Sequence, residues 1–289
     1  MSIAILMTVH NRRETTLRCL QHLADQAYGR GNEDEEEGRE EADQPIRWHL
    51  YLTDDGCTDG TAKAVKELLQ ERVTIIQGNG QLYWNRGMHM AWKAARSVSD
   101  YDFYLWLNDD TMLHPTAIRH LLECSRMKAH QAIIAGCISS TQPPYVTTYG
   151  GRTHKGWISC NGQMQPLRLM HGNAVLIPRY AYHRIGINDP YYRHAFGDYD
   201  YALSAKAKGI SVFTTSHHIG TCDVSNQHPA CFNPRLPINH RFMALYAPTS
   251  YYHPVDAFHF DRKHNGLLTA LVRYTYLHLS TLIPACWRG

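Results

Sequence analysis

The chain has 289 residues, of which 44% are hydrophobic and 19% charged, and its formal net charge is +3. This length is enough for one large domain with a sizeable core, and so small a positive charge does not by itself indicate a nucleic-acid-binding protein. The eight cysteines form no CxxC pair, which favours free thiols in a reducing compartment. We expect neither a signal peptide nor a membrane-spanning helix, since no basic leader and no apolar run of about eighteen residues is present.

The first half of the chain predicts an alternation of strands and helices. The predicted strands cover residues 3–9, 46–52, 73–77 and 100–114. The predicted helices cover residues 14–27, 59–70, 82–97 and 115–128. Because the connections are short and the strand segments are nearly continuous apolar runs, we predict an α/β fold with a mostly parallel central sheet and helices on both faces.

Residues 29–44 interrupt this alternation. The segment is almost without apolar side chains and carries the acidic residues Glu33, Asp34, Glu35, Glu36, Glu37, Glu40, Glu41 and Asp43. So charged a run buries little surface, and we expect a solvated, mobile insertion rather than a partner-binding segment.

An acidic cluster follows the apolar run at 103–107. Asn108, Asp109, Asp110 and Thr111 come directly after it, and unpaired carboxylates are costly to bury, so they should face a cleft at the strand's carboxyl end. One interpretation is a site for Mg²⁺, which joins one or two carboxylates to substrate phosphates. The other is a helix cap, with Asp110 or Thr111 preceding a helix from residue 115.

The second half of the chain is less regular. We predict strands at 132–139, 172–178 and 210–215, hairpins within 146–165, and a helix at 201–208 after an acidic turn at 196–200. Residues 220–261 predict Pro- and His-rich connections. Residues 266–283 predict a helix that either lies on an anionic membrane or packs on the domain or a second copy, and packing is slightly favoured.

Several segments together resemble glycosyltransferase family 2, the inverting enzymes with the nucleotide-sugar-binding GT-A fold. They are MTVHNR (7–12), TDDGCTDGT (53–61), GNGQLYWNRGMHMAW (78–92), WLNDDT (106–111) and FGDYDYALSAKAKG (196–209). The resemblance covers roughly residues 2–223, which gives a GT-A domain at 1–223 and a C-terminal extension at 224–289. GNGQLYW and WLNDDT are most similar to the rhamnosyltransferase-like members.

The resemblance implies a set of donor-binding residues. The end of the first strand and the Asp54/Asp55 pair would hold the nucleobase and ribose, because carboxylates accept hydrogen bonds from N–H groups and sugar hydroxyls. A tight turn with a helix cap is the structural alternative for that pair. The full implied donor set is Val9, Asn11, Arg12, Asp54, Asp55, Gly80, Trp84, Arg86, Asn108 and Asp109.

A divalent cation, Mg²⁺ or Mn²⁺, is the implied cofactor. Asn108-Asp109-Asp110 stands where the family carries its Asp-x-Asp metal motif. Since the first position is Asn here, Asp110 is the expected direct ligand and Asp109 assists it. A metal-binding histidine often follows the family's last strand; His218 is the candidate, with His217 beside it, although the following GTCDVSN departs from the common pattern.

Asp198 falls on the family's general-base position. A sugar hydroxyl needs a positioned carboxylate to remove its proton as it attacks the anomeric carbon. Asp200 would then cap the helix or position the acceptor, with Tyr199 on the acceptor side. The alternative is that both carboxylates only cap the helix.

The implied function is metal-assisted, inverting transfer of a hexosyl or deoxyhexosyl group. The implied partners are a nucleotide-sugar donor and a glycan or lipid-linked acceptor, with possible peripheral membrane contact, a possible homodimer and no nucleic acid. The expected location is cytoplasmic, or peripheral on the inner face of the cytoplasmic membrane. A non-catalytic nucleotide-sugar- or glycan-binding protein of the same fold is the main alternative, since Asn108 weakens the metal motif.

Overall fold

Twelve strands and nine α-helices form most of the regular structure of the residues described. The structure is a computed structural model, and it describes residues 1–26, 46–224 and 228–287. The strands are β1 (Ser2–Val9), β2 (Arg47–Asp54), β3 (Val73–Gln77), β4 (Phe103–Leu107), β5 (Met112–Leu113), β6 (Ile133–Ser139), β7 (Thr147–Tyr149), β8 (Gly151–Thr153), β9 (Gly156–Trp157), β10 (Leu169–Met170), β11 (Ala174–Pro178) and β12 (Val212–Thr221). The helices are α1 (Arg13–Ala24), α2 (Thr61–Leu69), α3 (Tyr83–Val98), α4 (Ala117–Arg126), α5 (Arg179–Ile185), α6 (Gly197–Ala207), α7 (Ile238–Leu245), α8 (Pro254–His264) and α9 (Leu267–Leu282).

Nine of these strands form the central sheet. Its order is β3-β2-β1-β4-β11-β6-β12-β5, and β7 pairs with β6. The first four strands run parallel to one another, while β11 is antiparallel to both β4 and β6. Strands β8, β9 and β10 form a separate three-stranded sheet. The predicted α/β fold with helices around a central sheet is confirmed, and the antiparallel pairs of this sheet involve β11, β5 and β7.

The central strands bury side chains on both faces. Along β4, Leu105 packs into the cluster that contains the helix residues Leu20 and Leu121. Its neighbour Trp106 packs into the opposite cluster, with Trp92 of α3. Successive side chains of a strand point to opposite faces, so an unbroken apolar run belongs to a strand covered by helices on both sides.

Three differences from the sequence-based prediction affect the site. The predicted strand at 100–114 is two strands, β4 and β5, separated by the acidic cluster. The predicted strand at 210–215 continues to Thr221, because its polar second half pairs with β6 and β5 through irregular register. Helix α5 and the two helices α7 and α8 were not predicted. The acidic segment 29–44 lies outside the described residues.

The C-terminal helices pack on the segment that leads into α6. Tyr192 and Phe196 share a buried cluster with Leu245, Phe260 and Leu277 from α7, α8 and α9. The helix predicted at 266–283 is present as α9 and packs on the domain through this cluster. Within the described ranges, none of the helices has the length and apolar character needed to cross a bilayer. The domain boundary at residue 223 stays a prediction.

Candidate functional site

The carboxylate of Asp55 organises the turn that follows β3. Its Oδ1 accepts a hydrogen bond from Gly80 N at 2.8 Å, and its Oδ2 accepts from Leu82 N and Tyr83 N, each at 2.9 Å. Gly80 has φ +80°, a backbone conformation that favours glycine. Asp55 is therefore largely committed to holding the 78–83 turn against β2, which is close to the tight-turn alternative for this pair.

Asp54 lies at the end of β2, and its carboxylate accepts fewer backbone hydrogen bonds than that of Asp55. Its Oδ1 accepts from Cys57 N at 2.7 Å, and no second backbone N–H of the described residues donates to this carboxylate. The neighbouring end of β1 is joined to it, since Asp55 N donates to Val9 O at 2.9 Å. Asn11 Oδ1 accepts from Thr58 N at 2.7 Å. The predicted donor residues of β1 and β2 thus lie side by side.

Arg12 connects the end of β1 to the acidic cluster after β4. Its Nη1 lies 3.0 Å from Asp109 Oδ1, and its Nη2 lies 2.9 Å from Asp110 Oδ2. Desolvation raises the pKa of Asp109 to about 6, although the charge of Arg12 opposes the shift. Helix α4 begins only at Ala117, with Thr116 at the N-cap position. The helix-cap interpretation of Asp110 and Thr111 is therefore wrong.

Asp110 has the donor atom best suited to a cation. Its Oδ1 is buried and has no hydrogen-bond partner among the described residues, and such an atom is costly unless a ligand satisfies it. Carboxylate oxygen is the ligand type that Mg²⁺ prefers, with few protein ligands and the rest from substrate phosphate and water. The donor set thus fits Mg²⁺ or Mn²⁺ held with a diphosphate.

His218 lies apart from this acidic pair. It stands inside β12, where its Nε2 is 2.9 Å from Thr147 Oγ1. The described part of the chain contains no group of three His, Cys, Asp or Glu side chains that converge on one cation position. The structure therefore does not assemble Asp109, Asp110 and His218 into a ligand set, and the expected position of the histidine after the last strand is wrong because β12 is longer than predicted.

Cys222 is the residue that follows β12 beside Asp110. Burial raises the pKa of its thiol to about 12, and the neighbouring Asp110 carboxylate adds to the shift. The thiol is therefore protonated at neutral pH. Sequence analysis did not single out Cys222, because its position depends on where β12 ends.

A short chain of hydrogen bonds links the acidic cluster to Asp198. Trp84 Nε1 donates to Asn108 Oδ1 at 2.7 Å. Asn108 N donates to Asn173 O at 2.9 Å, and the adjacent Gly172 N donates to Asp198 Oδ2 at 3.1 Å. Residues 172 and 173 thus hold the start of the metal motif and the expected base in one assembly.

Gly172 is required by this close packing. A Cβ built on Gly172 would lie 2.3 Å from Cζ2 of Trp84. Gly197, which precedes Asp198, is equally constrained, because a Cβ there would lie 1.9 Å from Asn85 Oδ1. Phe196 has φ +70°, a strained conformation of the kind found at functional sites.

The Asp198 carboxylate sits at the start of α6. Its Oδ1 accepts from Tyr199 N at 2.9 Å. Burial raises the pKa of Asp198 to about 6, and the backbone hydrogen bonds from Tyr199 and Gly172 oppose the shift. Each carboxylate oxygen has a second lone pair, so Asp198 can still accept a proton from a ligand.

Asp200 is held in a buried ion-pair network. Lys263 Nζ lies 2.9 Å and His264 Nε2 lies 2.8 Å from its carboxylate, and Tyr192 Oη donates to it at 3.0 Å. These contacts favour a structural role for Asp200. The Tyr199 side chain has a different partner from Asp200. Its hydroxyl lies 3.4 Å from His171 Nε2.

Arg86, predicted at the donor, contacts backbone carbonyls. Its Nε donates to Pro190 O at 3.0 Å and its Nη2 to Tyr191 O at 3.2 Å. In this conformation Arg86 fixes the loop before α6.

The charges of Asp110 and Asp198 both act on Tyr251, a residue that is 69% exposed. Desolvation raises the pKa of its phenol, and the charges of Asp198 and Asp110 both add to the shift. The residue lies in the loop before α8, a segment without periodic sequence signal, so sequence analysis had no basis for selecting it.

The fold is that of an α/β domain of the GT-A type. The family model described as Glycosyl transferase family 2 matches residues 4–191. The chain belongs to this family, and is a glycosyltransferase by family membership. A search among curated proteins found no match.

Solved structures of glycosyltransferases share this fold. The mannosyltransferase PcManGT from Pyrobaculum calidifontis, in complex with GDP-Man and Mn²⁺, has 13% identity and a TM-score of 0.56, covering 98% of this chain and 72% of its own. TarS 1-349 from S. aureus with UDP-GlcNAc has 10% identity and a TM-score of 0.53, covering 97% and 73%. TarS 1-349 with UDP has 11% identity and a TM-score of 0.55, covering 96% and 81%. At these identities the similarity establishes the fold alone.

Proposed function

We propose that the chain transfers a hexosyl or deoxyhexosyl group from a nucleoside diphosphate sugar to a hydroxyl of a glycan or lipid-linked acceptor, with inversion at the anomeric carbon. The observation that supports this best is the hydrogen-bonded connection from Asn108 to Asp198 through Gly172 and Asn173. It holds the acidic cluster after β4 and a separate carboxylate, that of Asp198, in fixed relation. Inverting transfer needs a leaving-group site and a base on opposite sides of the sugar.

Asp198 is the general base in this proposal. The acceptor oxygen attacks the anomeric carbon while its proton passes to the Asp198 carboxylate, and the bond from that carbon to the diphosphate breaks on the opposite face. A pKa of about 6 keeps Asp198 charged at neutral pH and makes it more basic than an ordinary aspartate. A base with a pKa near the working pH is an efficient one.

Asp110 would hold Mg²⁺ or Mn²⁺ through its unpartnered Oδ1, with Asp109 beside it. The bound cation would neutralise charge on the departing diphosphate. Arg12, which contacts both carboxylates, orients the pair and carries positive charge to the same side of the cleft. We also propose that the ends of β1 and β2, including Asn11 and Asp54, hold the nucleoside.

The finer assignments rest on narrower support. The resemblance of the segments 78–84 and 106–111 to rhamnosyltransferase-like members supports a deoxyhexose donor. Free thiols at all eight cysteines support a cytoplasmic location, because a reducing compartment keeps thiols unpaired. Contact with the inner face of the membrane would depend on α9.

Calorimetric titration with UDP, GDP and dTDP, with and without Mn²⁺, tests the proposal. It is followed by a screen of nucleotide-sugar hydrolysis. We expect one nucleotide to bind in a Mn²⁺-dependent manner and its sugar conjugate to be hydrolysed slowly. Nucleotide binding without any hydrolysis or transfer would instead support a non-catalytic binding protein, and absence of all binding would overturn both.

A further inference from the structure

A second cavity lies between the β8–β9 hairpin and the turn from α6 to β12. Its volume is about 720 Å³, and its lining includes Lys155, Trp157, Gln165, Arg168 and Lys206. None of these residues belongs to the site described above. A cavity of this size takes a ligand of several rings rather than a single ion.

The cavity is positively charged. The described residues supply no carboxylate to its lining, and they give Lys155, Arg168 and Lys206 no ion-pair partner. The surrounding sequence from 124 to 188 contains no Asp or Glu. Of the Lys and Arg residues in this stretch, Lys155 and Arg168 line the cavity, and Arg152 lies over the ring of Trp157. Clustered cations without partners repel one another, so an anionic ligand is favoured there.

Trp157 gives the cavity an aromatic wall. The residue is 63% exposed, which is unusual for a tryptophan. Arg152 lies over its ring, 5.3 Å from the centroid. An indole beside polar groups such as Arg168 offers dispersion contact to the C–H face of a sugar ring while its neighbours bind hydroxyl or acidic groups. The combination fits a charged carbohydrate better than a small inorganic anion.

One wall of the cavity, formed by Trp157, adjoins the Asp198 site. The ring of Trp157 stacks on His171 at 5.2 Å, and His171 Nε2 lies 3.4 Å from the Tyr199 hydroxyl. His171 Nδ1 accepts from Gly150 N at 3.2 Å, which leaves its proton on Nε2. The residue after His171 is Gly172, whose N–H donates to Asp198.

We propose that this cavity is an acceptor subsite for an anionic glycan, a carbohydrate chain that carries carboxylate or phosphate groups. Trp157 and Gln165 contact its sugar rings, and Lys155, Arg168 and Lys206 bind its charges. The chain end then passes Tyr199 and presents a hydroxyl to Asp198. This assignment rests on the proposed function. The contact of its Trp157 wall with His171, next to the proposed base, favours a glycan over a nucleic acid.

Calorimetric titration with three oligosaccharides tests the charge requirement. The probes are hexagalacturonate, its fully methyl-esterified form, and mannopentaose phosphate. We expect hexagalacturonate to bind at least about tenfold more tightly than the uncharged ester, with an affinity that falls as salt rises. The tighter of the two charged probes identifies carboxylate or phosphate as the preferred group. Equal affinity for hexagalacturonate and its ester, or tighter binding of a thymidine oligonucleotide, would overturn the proposal.

Variants of the cavity residues test whether the oligosaccharides bind in this cavity. Arg168→Gln/Lys206→Gln should weaken hexagalacturonate binding about tenfold, and Trp157→Ala should weaken all three oligosaccharides, with melting temperatures checked for each variant. Lys93→Gln/Arg96→Gln, on an exposed part of α3, removes the same charge and should bind as the wild type does. Equal weakening by both charge variants would mean non-specific attraction and would overturn the subsite.

Donor hydrolysis by the wild-type protein, measured in parallel, separates the two proposals. Hydrolysis together with glycan binding that is insensitive to the cavity variants would overturn the subsite and leave the proposed function intact. Cavity-dependent glycan binding by a protein that neither binds nor hydrolyses any donor would overturn the proposed function, and the acceptor role with it.

Discussion

Asp198 occupies the position of the proposed base. The desolvation that raises its basicity also lowers the stability of the folded protein. A carboxyl whose folded pKa is raised to about 6 destabilises the folded state at pH values above its unfolded pKa, because the charge is easier to form in the unfolded chain. That cost is absent at pH values below the unfolded pKa and is complete above about pH 6. The protein retains a destabilising charge at the position where the proposed reaction needs a base.

Asp198→Asn should therefore separate activity from stability. Transfer should fall about 10²–10⁴-fold, because the amide cannot accept the proton, while donor affinity is kept. The melting temperature at pH 7.5 should rise by a few degrees. In the wild type, kcat should fall about tenfold for each pH unit below about 6. Steady-state kinetics and thermal melts measure these effects, and transfer at the wild-type rate would place the base elsewhere.

Substitution of Asp110 tests whether this residue binds the proposed cation. Asp110→Asn keeps the shape of the side chain and removes the charge beside the unpartnered oxygen, so the Mn²⁺ enhancement of nucleoside diphosphate binding should be lost in calorimetry. Asp25→Asn, an exposed aspartate at the end of α1, is the matched control and should keep it. Full transfer activity in excess chelator would remove the metal from the mechanism.

At the scale of elements, one lysine joins α8 to the loop and helix that carry the proposed base. Lys263 Nζ lies 2.9 Å from Asp200 and 3.2 Å from Asp189. The two carboxylates differ in burial, with side chains 3% and 32% exposed. Since a screened surface pair contributes little and a broken buried pair is costly, the two contacts should differ in energy.

Asp200→Asn should lower the free energy of unfolding by about 2–4 kcal/mol, because it leaves His264, whose side chain is 10% exposed, without its anion and removes one of the two carboxylates from Lys263. Asp189→Asn removes the exposed contact to the same lysine and should cost less than about 1 kcal/mol. Urea denaturation of both variants gives the comparison. Equal losses would show that burial does not distinguish the two pairs.

Helix α9 has one packed face and one exposed face. Ala270 and Leu277 are buried, whereas Leu268 is 77% and Val272 is 62% exposed. No Asp or Glu occurs after Asp261 in the sequence. An exposed apolar face without acidic residues is typical of helices that bind anionic lipid surfaces.

We expect Leu268→Glu/Val272→Glu to reduce co-sedimentation with vesicles containing phosphatidylserine. The stability should change little, because both side chains are already exposed. Val98→Glu/Met127→Glu introduces the same charge at two isolated exposed apolar residues and serves as the control. If the α9 variant sediments as the wild type does, this face does not bind lipid.

At the scale of the whole molecule, the sequence predicts the parts that depend on local pattern. Unbroken apolar runs identified β1, β2 and β4, and helical spacing identified α1 and α3, because burial on two faces or one leaves a periodic signal. Helix α8 leaves no such signal. It buries Asp256 and Asp261, which lie within 3.9 Å of Arg193 and 3.4 Å of Arg273.

In the candidate site, too, sequence analysis identified the residues that lie in local motifs and missed the others. Asp110 and Asp198 were found from family motifs, each of which is contiguous in sequence. His171, Cys222 and Tyr251 were missed because long-range packing, rather than any local motif, brings them to the cleft. The position of His218 after the last strand was mispredicted for a related reason, since the end of β12 is set by its pairing with β5 and β6.

The antiparallel strand β11 fixes the spacing between Asn108, at the end of β4, and Asp198. Its first residue, Ala174, pairs with Leu107 at the end of β4, and the two residues before it carry the hydrogen bonds to Asn108 and Asp198. A slip of one residue would turn every β11 side chain to the opposite face, so the buried apolar strand resists it. The loops beyond these contacts, including the hairpin that carries Trp157, can diverge without changing that spacing. Enzymes in which β11 is packed in this way would then differ in their acceptors more readily than in the spacing between the acidic cluster and the base.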